Sequence, residues 1–241
     1  MNSENREVTQ GVESSVLYIV ATPIGNLGDI TYRAIEILQS VPLVAAEDTR
    51  HTRKLFSHYG ISTPLISYYE HNEFSRLPKI VEHLNSGQDL GVVADAGTPG
   101  ISDPAYRLVR EAISIGSKVE SIPGPSAVLA ALVLSGLPTD RFIFEGFLPR
   151  KKGRKRRIMN LGSETATVII FENKIRLIKT LHDLLELLGE RPAVVARELT
   201  KLHEEIIRGT LTDCIEYFSS NPPKGECIIL VGKNDSNVYF K

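Results

Sequence analysis

Three polar stretches hold the side chains best suited to chemistry. Glu47, Asp48, Arg50 and His51 follow one apolar run, Glu172, Lys174 and Arg176 follow a second, and Arg197, Glu198, Lys201, His203 and Glu204 follow a third. Carboxylates and imidazoles can move protons near neutral pH, while arginine and lysine hold anions. Each group also has a plainer reading as a structural or solvated ion pair, and the sequence singles out no general base among them. A fourth stretch differs in kind. Residues 150–157 read RKKGRKRR, so Arg150, Lys151, Lys152, Arg154, Lys155, Arg156 and Arg157 place seven basic side chains in eight positions. Removing those seven from the 28 Lys and Arg leaves 21 against 29 Asp and Glu, in a chain whose net charge is −1. A globally basic nucleic-acid binder is excluded. One basic segment on an acidic body instead suits a local contact with a polyanion.

The elements that must position these groups follow from hydrophobic patterning. Apolar runs at 16–21, 43–46, 65–67, 90–94 and 119–122 predict strands, and they alternate with helical spacing over 30–39, 51–58, 73–85, 105–115 and 127–135. Asp29 stands where it can cap the first helix. A second set predicts strands at 142–147, 167–171, 193–197, 204–208 and 226–231, with helices over 176–188 and 211–218 and one following the basic run. The strands are apolar without strict alternation, which predicts largely parallel or mixed sheets covered on both faces. The expected organisation is α/β in two domains, 16–138 and 139–232. They are flanked by a polar tail at 1–15, read as disordered and lacking the apolar core of a signal peptide, and by a patternless tail at 233–241. No apolar run reaches the roughly 20 residues that span a bilayer. Cys214 and Cys227 fit no metal or redox spacing and read as packing residues in a reduced, cytoplasmic setting.

Four turns at the carboxyl ends of predicted strands are rich in glycine and proline. They are TPIGNLGD (22–29), DAGTPGISDP (95–104), PGPSA (123–127) and GFLPRKKG (146–153). Ligands of open α/β sheets bind outside those ends, and such loops let backbone approach a ligand closely. Several familiar chemistries are excluded. There is no G-x-G-x-x-G after the first strand, no phosphate-loop G-x-x-x-x-G-K-[ST], no G-x-S-x-G nucleophile elbow, and no zinc-type His or Cys cluster; nothing calls for a metal.

Taken together, ATPIGNLGD, AAEDTRHTRKLF, DAGTPGISDP, SIPGPSA, SGLPTDRFIFEGFLPRK and RELTKLHEE closely resemble the ribosomal RNA branch of the tetrapyrrole methylases, over roughly residues 17–231. The resemblance implies a class III methyltransferase fold of two α/β domains with S-adenosylmethionine in the cleft between them, a homodimer, and 2′-O-methylation of a cytidine in small-subunit (16S) ribosomal RNA. It also implies cofactor contacts. Pro23 lies near the cofactor. Asp95, Gly97, Thr98, Pro99, Ile101 and Ser102 belong to the glycine-acid-proline loop, with Thr98 standing where many members carry Asp. Ser126 and Ala127 match the backbone pair after the proline-glycine turn, and Phe171 matches a contact at a strand end. The chain departs from the branch at 170–176, where Phe-Tyr-Glu-Ser-Pro-His-Arg is replaced by IFENKIR. Glu172 and Arg176 are kept, and no role of that histidine carries over.

Methyl transfer from a sulfonium is an in-line displacement, so positioning supplies much of the catalysis, and a base near the 2′-hydroxyl adds about 10²–10⁴-fold. Glu47, Asp48, Arg50, Glu172 and Lys201 are the residues expected to line the RNA side, with the basic run 150–157 on the phosphates. Tyr68, Tyr69 and Phe74 are candidate stacking platforms. Three other readings compete: a methylase of a corrin or porphyrin precursor, which has no evident use for RKKGRKRR; a non-catalytic RNA-binding or assembly factor, which would bind cofactor without turnover; and an α/β protein whose Gly-Pro turns are only structural, which would not bind S-adenosylmethionine at all.

Overall fold

The computed structural model describes residues 15–240. The polar tail expected at 1–15 lies outside them, except for Ser15. The chain forms two compact units. One comprises the chain up to Pro23 with Leu27–Pro125, and the other Ile24–Asn26 with everything from Ser126 onward.

The first unit alternates strictly: β1 (Val16–Val20), α1 (Tyr32–Ser40), β2 (Leu43–Ala46), α2 (Thr49–Tyr59), β3 (Leu65–Ser67), α3 (Glu73–Asn85), β4 (Leu90–Val93), α4 (Ala105–Ser114) and β5 (Lys118–Ile122). Its sheet has the order β3-β2-β4-β1-β5, and every pairing is parallel. Alternate residues of β1 feed two cores. Leu17 and Ile19 pack with Ile80 and Leu84 of α3 and Leu108 of α4, whereas Val20 packs with Ala34 and Leu38 of α1 and Phe56 of α2. A strand buried on both faces has no polar side to show, which is why its sequence reads as an unbroken apolar run. The expected cap of α1 is corrected. Leu27–Asp29 forms a 3₁₀ turn, and the Thr31 hydroxyl accepts the Ala34 N–H at 3.1 Å.

The second unit contains α5 (Ala127–Ser135), β6 (Phe142–Phe147), α6 (Arg154–Asn160), β7 (Thr167–Asn173), α7 (Leu177–Leu188), β8 (Pro192–Arg197), β9 (Glu205–Thr210), α8 (Leu211–Ser220) and β10 (Glu226–Val231). Its order is β6-β7-β10-β8-β9, parallel for β6 with β7 and antiparallel elsewhere. Helices α6, α7 and α8 cover one face through Ile158, Leu181 and Phe218. Helix α5 covers the other through Val128, Ala131 and Leu132. That packing assigns α5 to the second unit, so the division falls at Ser126 and not near 138. The segment after β10 has no regular structure, yet Val238 and Phe240 pack on the α5 core and the Tyr239 hydroxyl donates to the Glu190 carbonyl at 3.0 Å. Cys214 and Cys227 are buried free thiols, pushed up to about 12 and about 11 by burial. No helix among the described residues is long and apolar enough to cross a membrane.

Candidate active site

In the first unit the carboxyl ends of β1, β2 and β4 gather one group of residues. Thr22, just past β1, is bridged to Gly97: its N–H donates to the Gly97 carbonyl at 2.9 Å and its own carbonyl accepts the Gly97 N–H at 3.0 Å. The Thr22 hydroxyl also donates to the Ala94 carbonyl at 3.2 Å. This lashes the loop 95–104 to the β1 end and holds Pro23 beside it. Within the loop, Gly97, Gly100 and Ser102 take left-handed φ values of 79°, 91° and 68°. Glycine adopts that region freely, whereas for serine it costs on the order of 1 kcal/mol or more. Asp103, which the sequence reading passed over, holds the loop in shape. Its carboxylate accepts the Gly100 N–H at 2.8 Å and the Ala105 N–H at 2.9 Å. An Asp-Pro pair just ahead of a helix is the signal that could have found it. Thr98 is tethered by its hydroxyl to the Pro125 carbonyl at 3.3 Å, Pro99 is buried, and Ile101 is about half exposed at 49%.

Beside this loop the ends of β2 and β4 exchange hydrogen bonds. The Asp95 N–H donates to Glu47 Oε2 at 3.2 Å, and the Asp48 N–H donates to Asp95 Oδ1 at 3.0 Å. Burial pushes the Glu47 carboxyl above its ordinary range, and the nearby carboxylates Asp95, Asp103 and Asp48 push the same way, against the Asp95 N–H. Asp48 goes in the opposite direction. It caps α2 by accepting the Arg50 N–H at 2.8 Å and pairs with the Arg50 guanidinium at 2.7 Å, which holds its carboxyl well below the carboxylate range. Thus one member of this acidic group resists ionisation and its neighbour is locked ionised.

The residues expected from the resemblance divide between the units. Pro23, Asp95, Gly97, Thr98, Pro99, Ile101 and Ser102 belong to the first, and Ser126, Ala127 and Phe171 to the second. Ser126 caps α5 by accepting the Leu129 N–H at 3.4 Å, which leaves Ala127 as the first helical residue. Phe171 stands edge-on to Phe144 and Phe147, with ring centroids 4.8 and 5.6 Å away.

The first unit carries features that suit S-adenosylmethionine. A Cβ added at Gly100 would meet nothing within 4 Å, so the backbone is open at that point of the loop. The adjoining Glu47 and Asp95 carboxylates match a cationic ligand. Backbone amides and carbonyls with neighbouring acids are a suitable donor set for an amino-acid group bearing a sulfonium.

Glu172 is not a free carboxylate. Its side chain is fully buried; it accepts the Thr180 hydroxyl at 2.6 Å and the Asn173 N–H at 2.7 Å, and pairs with Arg176 at 2.6 Å. Its place is therefore to hold the β7–α7 turn and to aim Arg176. Lys201 is likewise committed, donating to Glu198 at 3.0 Å and Glu226 at 2.9 Å. Burial lowers the Lys201 pKa, but the two carboxylates more than offset this and raise it. The turn that carries Lys201 is tight, with Glu198 and Thr200 at φ 51° and 64°. A Cβ on Gly25 would come within 2.8 Å of the Leu199 carbonyl, so glycine is required where the 24–26 segment meets this turn.

The basic run also separates. Helix α6 begins inside it, and the 3.6-residue period turns Arg154, Ile158 and Leu161 toward the core. Arg154 is buried; it pairs with Asp183 at 2.7 Å, donates to the Thr180 hydroxyl at 2.8 Å and to the Pro149 carbonyl at 3.2 Å. It is corrected from an RNA contact to a structural ion pair. Arg157 pairs with Glu145. Arg150, Lys151, Lys152, Lys155 and Arg156 are exposed and form no ion pair among the described residues. Of the stacking candidates, Tyr68 is buried, its hydroxyl pushed up to about 12 by burial and then by Glu73, so it is not a platform. Phe74 is exposed, and the Arg107 guanidinium covers its ring at 4.6 Å.

Known proteins resemble this chain along most of its length. The family model Tetrapyrrole (Corrin/Porphyrin) Methylases matches residues 16–215. A protein of Synechocystis sp. named ribosomal RNA small subunit methyltransferase I is 53% identical over 90% of this chain and 79% of its own length. Its namesake from Thermotoga maritima is 47% identical over 90% of this chain and 98% of its own. Among solved structures, diphthine synthase superposes with a TM-score of 0.72 at 16% identity, covering 90% of each chain. Uroporphyrin-III-C-methyltransferase from Thermus thermophilus gives 0.64 at 17% identity, covering 91% of this chain and 94% of that one; both show the fold alone. With two α/β sheets of matching layout and close relatives along nearly its whole length, the chain belongs to the tetrapyrrole (corrin/porphyrin) methylase family, in the branch whose members carry the name ribosomal RNA small subunit methyltransferase I.

Proposed function

We propose that this protein transfers a methyl group from S-adenosylmethionine to the 2′-hydroxyl of a cytidine in small-subunit ribosomal RNA. The reading is carried by the relatives of that branch, with 53% identity over 90% of the chain. Two features of the chain support it: the exposed cations Arg150, Lys151, Lys152, Lys155 and Arg156, which suit phosphates, and the open backbone loop 97–102 beside carboxylates. S-adenosylmethionine brings a methyl already activated by its sulfonium.

The residues of the chain then have three tasks. Gly97, Thr98, Pro99, Ile101 and Ser102, with Pro23 and Asp95, hold the donor through backbone and a facing carboxylate; Ser126, Ala127 and Phe171 are assigned to it from the resemblance. Glu47 is the best candidate for the base that draws the proton from the 2′-hydroxyl, because a carboxylate that resists ionisation is a stronger base than an ordinary one. Asp48 and Arg50 fix the α2 start beside it, and Lys201 supplies positive charge held in place by Glu198 and Glu226. A ribosomal RNA substrate places the protein in the cytoplasm. A homodimer completes the proposal: Leu129, Val133 and Leu134 leave an apolar face on α5 that is 52%, 72% and 38% exposed, and burying it against a second copy would remove it from water.

The test is transfer of labelled methyl from S-adenosylmethionine to small subunits purified from a strain lacking this protein, with the nucleoside identified by mass spectrometry. A 2′-O-methylated cytidine is expected. Cofactor binding without transfer to subunits or naked RNA would reject the reading and turn attention to tetrapyrrole precursors.

A further inference from the structure

The second unit contains a cavity of about 670 Å³ lined by Phe147, Leu148, Pro149, Arg150, Asn173 and Ile175, with Arg176 closing the set. It lies past the carboxyl ends of the two parallel strands, β6 and β7, where ligands of such sheets bind. Phe147 and Ile175 are large apolar side chains left 57% and 84% exposed. A bulge in β6 between Phe144 and Gly146, with Gly146 at φ 68°, slips the register and sets Phe147 opposite Phe171. Bulges of this kind re-aim side chains next to sites. Arg176 is the second unusual residue. Its Nη2 is fixed on the buried Glu172 carboxylate, while its Nη1 is buried and has no acceptor in the protein. An unmet buried donor is costly, and an anion entering the cavity would relieve it.

We infer that this cavity holds one nucleotide of the RNA substrate, its base against Phe147 and Ile175 and its phosphate between Arg150 and Arg176. The inference rests on the proposed function and deepens it, because it distinguishes a shaped pocket from the diffuse contacts of the basic run. Charge decides the occupant. Arg150 has no carboxylate partner among the described residues and Arg176 keeps an unmet N–H beyond its pair with Glu172, a set that suits a phosphate better than a sulfonium, so the cavity is assigned to the RNA and not to the methyl donor. Glu172 is a positioning residue here, since it fixes the plane of Arg176 without reaching the ligand.

The experiment measures binding of small ribosomal subunits lacking the modification, and of S-adenosylmethionine, to the wild-type protein and to Phe147→Ala and Arg150→Ala. Base stacking on an aromatic ring is worth about 1–3 kcal/mol, so Phe147→Ala should weaken subunit binding roughly 5- to 150-fold, leaving the cofactor Kd and the melting temperature unchanged. Arg150→Ala, an exposed change that does not threaten the fold, should weaken subunit binding and lower its salt dependence. Unchanged subunit binding in both variants would overturn the pocket. Lost cofactor binding with subunit binding intact would overturn it by giving the cavity to the methyl donor. If the wild-type protein neither binds nor methylates subunits, the proposed function itself fails and the inference falls with it.

Discussion

The strand ends of the two units are built from opposite chemistry. In the first unit Glu47, Asp48, Asp95 and Asp103 surround a loop that presents backbone. In the second, Arg150 and Arg176 stand beside apolar rings, with further exposed cations along 151–156. The difference supports the proposal that one small chain handles two reactants of opposite charge. The acidic end suits a sulfonium donor and the basic end suits a polyanion, although the chain as a whole is nearly neutral at −1.

The largest effects should come from the buried charges that hold the basic end in place. Glu172→Ala leaves Arg176 without its partner, and Arg154→Ala leaves Asp183 and Thr180 short of a donor. Each should cost about 3–5 kcal/mol of stability, read by urea unfolding. Lys155→Ala, one residue along the same helix but exposed, should cost less than about 0.5 kcal/mol. Equal losses at 154 and 155 would break the distinction between the inner and outer faces of α6.

At the acidic end, Glu47→Gln keeps an acceptor for the Asp95 N–H but removes the proposed base. Methyl transfer should fall about 10²–10⁴-fold with RNA binding unchanged. Because the folded-state pKa of Glu47 is raised, the wild-type rate should climb with pH as the carboxyl ionises, through a range above that of an ordinary glutamate. The stability sign is opposite. A raised folded pKa means that the group's stabilisation is present below its unfolded pKa and is lost as pH rises through the folded value, so Glu47→Gln should melt higher than wild type at neutral pH. A lower melting point there would show that the ionised carboxylate is stabilising after all. The smallest effect is expected at Ser102→Gly, which relieves a left-handed φ of 68° against a looser unfolded chain; stability should move by no more than about 1 kcal/mol.

Much of this organisation was legible in the sequence. Patterning gave α3, α5, β6 and β10 their bounds, because strong apolar periodicity or an unbroken apolar run is bounded there by glycine, proline or polar residues. The misplacements have physical causes. Asp29 and Thr31 are both good caps, and the 3₁₀ turn that takes up Asp29 decides which is used. Helix α5 is apolar all round, so its sequence does not say which sheet it covers. In the basic run the eye reads seven equivalent cations, yet helical period buries Arg154 in line with Ile158 and Leu161, a pattern already present at i, i+4 and i+7. Glu172 fell the same way: a strand-end carboxylate looks available until Arg176 and Thr180, four and eight residues on, fold back over it. Phe147 gave no signal, since the bulge that turns it exists only in the pairing of β6 with β7.

The most direct test of the charge division is the salt dependence of RNA binding in Lys151→Ala/Lys155→Ala/Arg156→Ala, measured beside the cofactor Kd of the same preparations. The logarithmic slope of affinity against salt should shrink by about 0.7–0.9 for each cation that contacts a phosphate, while S-adenosylmethionine binds as it does to wild type. An unchanged slope, or weakened cofactor binding at an unchanged melting temperature, would contradict the assignment of the basic end to RNA and the acidic end to the methyl donor.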